Sequence, residues 1–182
     1  MSIDRFADRR TALLAQLDET IAIIPAGREQ TRNDDVAHPF RQDSDFHFLT
    51  GFDEPDAVAV LDAASDEPFT LFVRPRDPEK EAWNGLRAGV EGAMTRFGAD
   101  AAFELDELDD WLRRRLAGRR SVDYAFGGRL DAEVLRAVRS VKAYAARSGV
   151  DTPVEIVDLG ALIAELRVIK SAAEIEALLV AC

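Results

Sequence analysis

Few residues in this chain have the types and spacing that chemistry needs. His38 and His47 stand among Asp34, Asp35, Asp43 and Asp45, side chains that bind divalent metals or trade protons. Their spacing fits no metal-binding or acid–base pattern. His38 precedes Pro39, which forces it out of helical conformation. The reading that follows is bland: two surface or hydrogen-bonding histidines. A second cluster, Glu104, Asp106, Glu107, Asp109 and Asp110, offers two carboxylates that could serve as acid and base. It precedes Leu108, Leu112 and Leu116 at helical spacing, so it reads as the solvated first turn of a helix, where the dipole favours acids. Cysteine chemistry has only Cys182, the last residue, which also excludes an intrachain disulfide and a cysteine zinc site. The motifs GxGxxG, GxxxxGKS/T, GxSxG and HExxH do not occur.

The elements that would position any site come next. The chain has 182 residues, 47% hydrophobic, which is globular composition with enough length for a core. Lys plus Arg number 23 against 34 Asp plus Glu, a net charge of −11, which repels nucleic acid and anionic membranes. With a single cysteine, no signal-peptide core and no long apolar run, the expected setting is cytoplasmic. Ile3, Phe6, Leu13, Leu14 and Leu17 predict an amphipathic N-terminal helix. TIAII (20–24), AVAVL (57–61) and FTLFV (69–73) predict buried strands, the last two joined as a hairpin. Residues 28–39 predict a polar loop. Val90–Phe97 and the Leu105–Leu116 stripe predict helices. SVDYAF (121–126) predicts a strand, Asp131 a cap on a long helix with Val134, Val138, Val141 and Ala145 inside, and VEIV (154–157) a further strand. Asp158 then caps a helix carrying Leu162, Leu166 and Ile169. Ser171 and Glu174 form a capping box for a last helix that runs out of sequence without a stop signal. Strands first, then alternating helix and strand, predict an α/β fold: a mixed β-sheet flanked by helices.

One stretch stands apart. FRQDSDFHFLTGFDEP (40–55) mixes rings and charges at high density. Read as extended backbone, Phe46 and Phe48 share one face and Asp45 and His47 the other, with Arg41 free to pair with Asp43 or Asp45. That is a structural element, or a polar surface beside a pocket or a subunit contact.

This stretch closely resembles the signature of the N-terminal domain of Xaa-Pro aminopeptidases (aminopeptidase P), in the creatinase/prolidase superfamily. RNDDVAHPFRQ leading into it, RPRDPEKEAWNGLRAG (74–89) and LRVIKSAAEIEAL (166–178) agree in the same order. The resemblance implies ribonuclease H-like topology, with residues 1–170 as the N-terminal domain and 171–182 as the start of a linker helix to a catalytic domain that is absent. It places two divalent metal ions, usually manganese, in that catalytic domain, and none in this chain. The piece alone is then expected to bind no catalytic metal and to cleave nothing. Its implied partners are its own catalytic domain, neighbouring subunits of a homo-oligomer, and proline-containing peptides. Trp83 sits at the family's Glu-x-Trp position, whose ring reaches the active-site mouth of a neighbouring subunit. Arg147 matches an arginine that points towards substrate. The residues by themselves also allow Trp83 to pack within its own domain and Arg147 to be a solvated arginine at a helix C-terminus. The alternatives are a free-standing assembly or binding module, and the corresponding domain of a prolidase or creatinase relative.

Overall fold

Five-residue apolar runs with no polar side make strands only when both faces of a sheet are covered, and the topology meets that demand. The computed structural model describes residues 4–34 and 36–181. In chain order it holds α1 (Asp4–Leu14), β1 (Ile21–Pro25), β2 (Thr31–Asn33), β3 (Val36–Ala37), α2 (Ser44–Thr50), β4 (Val58–Asp62) and β5 (Phe69–Val73). There follow α3 (Pro78–Asn84), α4 (Gly89–Phe97), β6 (Ala101–Glu104), a 3-10 turn (Leu105–Glu107), α5 (Leu108–Leu116) and β7 (Ser121–Tyr124). The chain closes with α6 (Asp131–Ser148), β8 (Glu155–Val157), α7 (Leu159–Val168) and α8 (Ala172–Ala181). Ile3, Asp35 and Cys182 lie outside the described residues.

Six strands form one sheet in the order β6-β5-β4-β1-β7-β8. β4 runs antiparallel to both β1 and β5, while β6, β7 and β8 are parallel to their neighbours. Leaving β6 aside, β5-β4-β1-β7-β8 with only β4 reversed is the ribonuclease H-like order, so the expected mixed α/β sheet is present. Alternation along the strands divides the core. Ala22, Ile24, Ala59, Leu61, Leu71 and Val73 meet α1, α2, α4 and α7 through Leu13, Phe46, Leu49, Ala93 and Ile163. Ile21, Ile23, Val58, Val60, Phe72, Val122 and Tyr124 meet α5 and α6 through Trp111, Leu112, Val134 and Val141. Each large side chain so buried contributes about 2–3 kcal/mol.

Several sequence expectations change. Residues 44–50 are helical, not extended. Asp43 is the cap, its Oδ1 accepting the Asp45 and Phe46 N–H groups at 2.9 Å, and Gly51 ends the helix at φ 65°. A Cβ at Gly51 would collide with the buried Phe6 ring, so this position needs glycine twice over. Asp43 is used in capping and Asp45 pairs with Arg167, so neither takes Arg41. The expected loop at 28–39 contains the exposed hairpin β2–β3. β6 was not anticipated. Asp131 opens α6 but does not cap it; its Oδ1 accepts the Gly128 N–H at 3.1 Å in the preceding turn. Asp158 caps α7 as expected, through the Gly160 N–H at 3.0 Å. The Ser171–Glu174 capping box at the start of α8 is formed.

Asp123 on β7 is 5% exposed and accepts one bond, from Thr20 Oγ1 at 3.0 Å. Burial first, and then the neighbouring Asp18, push its carboxyl above the ordinary 3.8, with the Thr20 bond opposing them. The folded state therefore holds this proton to higher pH than the unfolded chain does. The stability of that protonated form is complete below about 4 and is lost as pH rises through the raised value. Asp123→Asn keeps an acceptor for Thr20 and removes the penalty. Its expected result is a melting midpoint raised by a few degrees at pH 7, with the gain vanishing below about pH 4, as thermal melts across pH would read.

Candidate functional site

The stretch from Phe40 to Pro55 organises one rim of the sheet, where β1 ends and β4 begins. Gln42 is its staple. Its Oε1 accepts the Gly27 N–H at 2.7 Å and the Asp43 N–H at 2.8 Å. Its Nε2 donates to the Phe52 carbonyl at 3.1 Å and the Glu54 carbonyl at 2.8 Å. One side chain thus ties the chain leaving β1 to the chain entering β4, across α2. Arg129 closes the same rim from the β7–α6 connection, donating to the Ala26 and Ala57 carbonyls at 3.1 and 2.6 Å. Glu54 reaches forward and accepts the Ala88 N–H at 2.6 Å. Each of these contacts fixes backbone.

The Glu54–Ala88 bond leads to Trp83. After β5 the chain forms α3, with Asp77 as cap and Pro78 in its first turn, and then bends back at Gly85. Glu81 points inwards at 9% exposure and is gripped by Arg76 through Nε at 3.1 Å and Nη2 at 3.0 Å. That grip is the largest cause holding the Glu81 carboxyl below its usual range. Arg87 donates to the Pro75 carbonyl at 2.9 Å and shuts the loop. With its inner side fastened by charge, the loop displays its large apolar side chains outwards: Trp83 is 89% exposed and Leu86 79%. Trp83 does not pack within its own domain.

Arg147 lies in the last turn of α6 and is exposed. The topology separates it from Trp83. α3 leaves the C-terminal end of β5, whereas α6 begins at that rim and ends at the other, where Val154 bonds the Arg120 carbonyl at 2.7 Å. This chain therefore does not bring Trp83 and Arg147 to one place.

The cleft of about 940 Å³ between α1–α2 and α7–α8 is a third feature, lined by His47, Phe48, Arg9, Arg167 and Glu174 among others. His47 sits edge-on to Phe6 with ring centroids 5.8 Å apart. Burial, then the Arg5 charge, lower its pKa below the ordinary 6.5, against the pull of Asp53. It is held neutral as a packing group. Sequence reasoning placed it facing away from its flanking phenylalanines and missed the contact with α1, because it took the segment as extended.

The described residues do not fit a metal pair. No three His, Cys, Asp or Glu side chains among them converge on a point that could hold an ion. The acidic cluster is spent locally. Glu104 and Glu107 cap each other's backbone around the 3-10 turn, and Asp109 and Asp110 pair with Arg113. Among the described residues no helix is long and apolar enough to cross a membrane.

Comparison with known proteins gives these features a family. The model of "Aminopeptidase P, N-terminal domain" matches residues 6–123. The Xaa-Pro aminopeptidase of Escherichia coli (strain K12) is 35% identical over 183 residues, covering 98% of this chain and 41% of that protein. The human Xaa-Pro aminopeptidase 3 is 31% identical, over 90% of this chain and 32% of its own length. Among solved structures, Pseudomonas aeruginosa aminopeptidase PepP superposes with a TM-score of 0.92 at 42% identity, covering 97% of this chain and 40% of that one. The chain thus spans well under half the length of the relatives it matches from end to end, and it belongs to the aminopeptidase P N-terminal domain family.

Proposed function

We propose that this chain is the non-catalytic N-terminal domain of a metal-dependent Xaa-Pro aminopeptidase, an enzyme that removes the first residue from peptides with proline in second place. The observation that carries this reading is coverage. The chain aligns over 98% of itself with 41% of an Xaa-Pro aminopeptidase, while its described residues offer no convergent metal-donor set. The two divalent ions that the family resemblance implies, manganese in most members, would then be held by the remaining part of the parent enzyme. α8 is the start of the linker that leads to it, and residues up to 170 are the domain proper.

In this reading the domain supports a homo-oligomer and shapes the entrance for substrate. The exposed indole of Trp83 is presented to a neighbouring subunit, where its flat apolar face lines the pocket for a prolyl peptide. Arg147 offers a guanidinium to a peptide carbonyl or carboxylate. Their positions at opposite rims of the sheet mean that one substrate meets both only if different subunits supply them.

Two measurements test this. The 182-residue chain, given Mn2+ and a peptide beginning Ala-Pro, is expected to show no turnover, and the full-length parent to cleave it. In the full-length enzyme, Trp83→Ala is expected to lower kcat/KM about tenfold while leaving the melting midpoint in place, since the ring buries nothing in its own domain. Robust cleavage by the short chain, or an unchanged kcat/KM in the variant, overturns the corresponding half of the reading.

A further inference from the structure

α8 is attached to the rest of the domain by polar groups. Of its residues 172–180, Glu174 alone is not exposed, and Leu178, Leu179 and Val180 are exposed by 53, 74 and 86%. A helix that buries no apolar stripe takes no orientation from a core. Glu174 supplies one instead. Its Oε2 accepts the Ser171 N–H at 2.8 Å and the Ser171 hydroxyl at 2.7 Å. Its Oε1 accepts Arg9 Nη2, on α1, at 2.8 Å. Arg9 also donates Nη1 to the Phe48 carbonyl at 2.9 Å, and its guanidinium lies 4.1 Å from the Phe48 ring centroid. One carboxylate therefore both caps α8 and docks it onto the Phe40–Pro55 stretch. The pair is not a loose surface bridge: the two side chains are only 16% and 26% exposed.

The joint beside this contact is short. Ile169, Lys170 and Ser171 alone separate α7 from α8, and Ile169 is 85% exposed. The α7 side of the joint is fixed, because Arg167 pairs with Asp45 on α2 and Lys170 Nζ donates to the Arg167 carbonyl at 2.7 Å. What is left to swing is α8.

We propose that Arg9 and Glu174 form a latch that sets the direction in which α8 leaves the domain, making Arg9 a positioning residue for the polypeptide that α8 leads into. The positioning role rests on the function proposed above; the latch itself does not. In the 182-residue chain carrying Cys182→Ser, nitroxide labels at Glu91→Cys on α4 and Leu178→Cys on α8 read their separation by pulsed electron resonance. One narrow distance distribution is expected. Arg9→Ala raises the undocked population about tenfold and broadens the distribution, Glu174→Gln does the same without touching α1, and Arg9→Lys retains most of the docked peak. In the full-length enzyme Arg9→Ala lowers kcat for an Ala-Pro peptide more than it changes KM, and Arg9→Lys restores most of it. A broad distribution in the unaltered chain, or narrow ones in both Arg9→Ala and Glu174→Gln, overturns the latch. Open latches with unchanged full-length kinetics overturn the positioning role. A full-length protein that cleaves no Xaa-Pro peptide overturns the function proposed above, and the distance result stands apart from it.

Discussion

Arg119→Ala is expected to cost about 3–5 kcal/mol of stability. Asp62 ends β4 with a side chain only 3% exposed, and Arg119 grips it with Nη2 at 2.9 Å from both oxygens. The guanidinium also donates to the Glu19 carbonyl at 3.1 Å, so it joins the entry to β1, the end of β4 and the connection from α5 to β7. Without it, Asp62 keeps one bond, from the Ala64 N–H at 3.1 Å, and an uncompensated charge. For a chain of this length the loss is about 10 °C in melting midpoint. Arg119→Lys keeps the charge but not the fork, and should lie between the two. The decisive comparison is Asp62→Asn with Arg119→Ala: if the lone carboxylate is the cause, the double variant is more stable than Arg119→Ala. Equal urea midpoints for those two proteins would assign the loss to packing of the arginine stem instead.

The second large effect belongs to the signature stretch. Gln42→Ala removes four hydrogen bonds at once and is expected to cost about 3 kcal/mol, each bond contributing about 0.5–1.5 kcal/mol with water replacing part of the loss. Gln42→Glu isolates the donor half. It can still accept from Gly27 and Asp43, but it sets a carboxylate against the Phe52 and Glu54 carbonyls, so it should be nearly as damaging at pH 7. A Gln42→Glu protein as stable as the parent in urea would mean that the amide donors contribute nothing. Loss of the staple should also loosen Glu54, and through its bond to Ala88 the loop that displays Trp83.

These two residues show where the sequence was legible and where it was not. β1, β4 and β5 could be read directly, because a strand covered on both faces is a largely apolar run, and β7 from Val122 and Tyr124 ahead of the Gly127-Gly128 stop. β6, Ala-Ala-Phe-Glu, has little β-branched character and runs straight into an acidic turn, so nothing marked it. β2 and β3 are exposed throughout and carry no alternation to detect. At 44–50 the i, i+2 pair of phenylalanines imitates a strand and outweighs the truer signals, Asp43 before the segment, which reads as a partner for Arg41, and Gly51 after it. Of the site residues, Trp83 and Arg147 came from family resemblance alone. That Trp83 would be exposed depended on the Arg76–Glu81 grip, which no periodicity reveals. Arg9, Arg119 and Glu174 act on partners 39 to 165 residues away, and a single sequence carries no mark of such pairings.

The place of β1 in the sheet bears on how the chain is born. β1 meets β4 about forty residues later but β7 only after about a hundred, with Ile21 paired to both Asp62 and Val122. At a synthesis rate of about 5–20 residues per second, roughly 3–12 s pass on the ribosome between the arrival of β4 and that of β7. Through that interval β1 is an unpaired edge of the nascent β1–β4–β5 meander and the sheet face that α6 covers stays partly bare, the condition under which neighbouring chains on a polysome mispair.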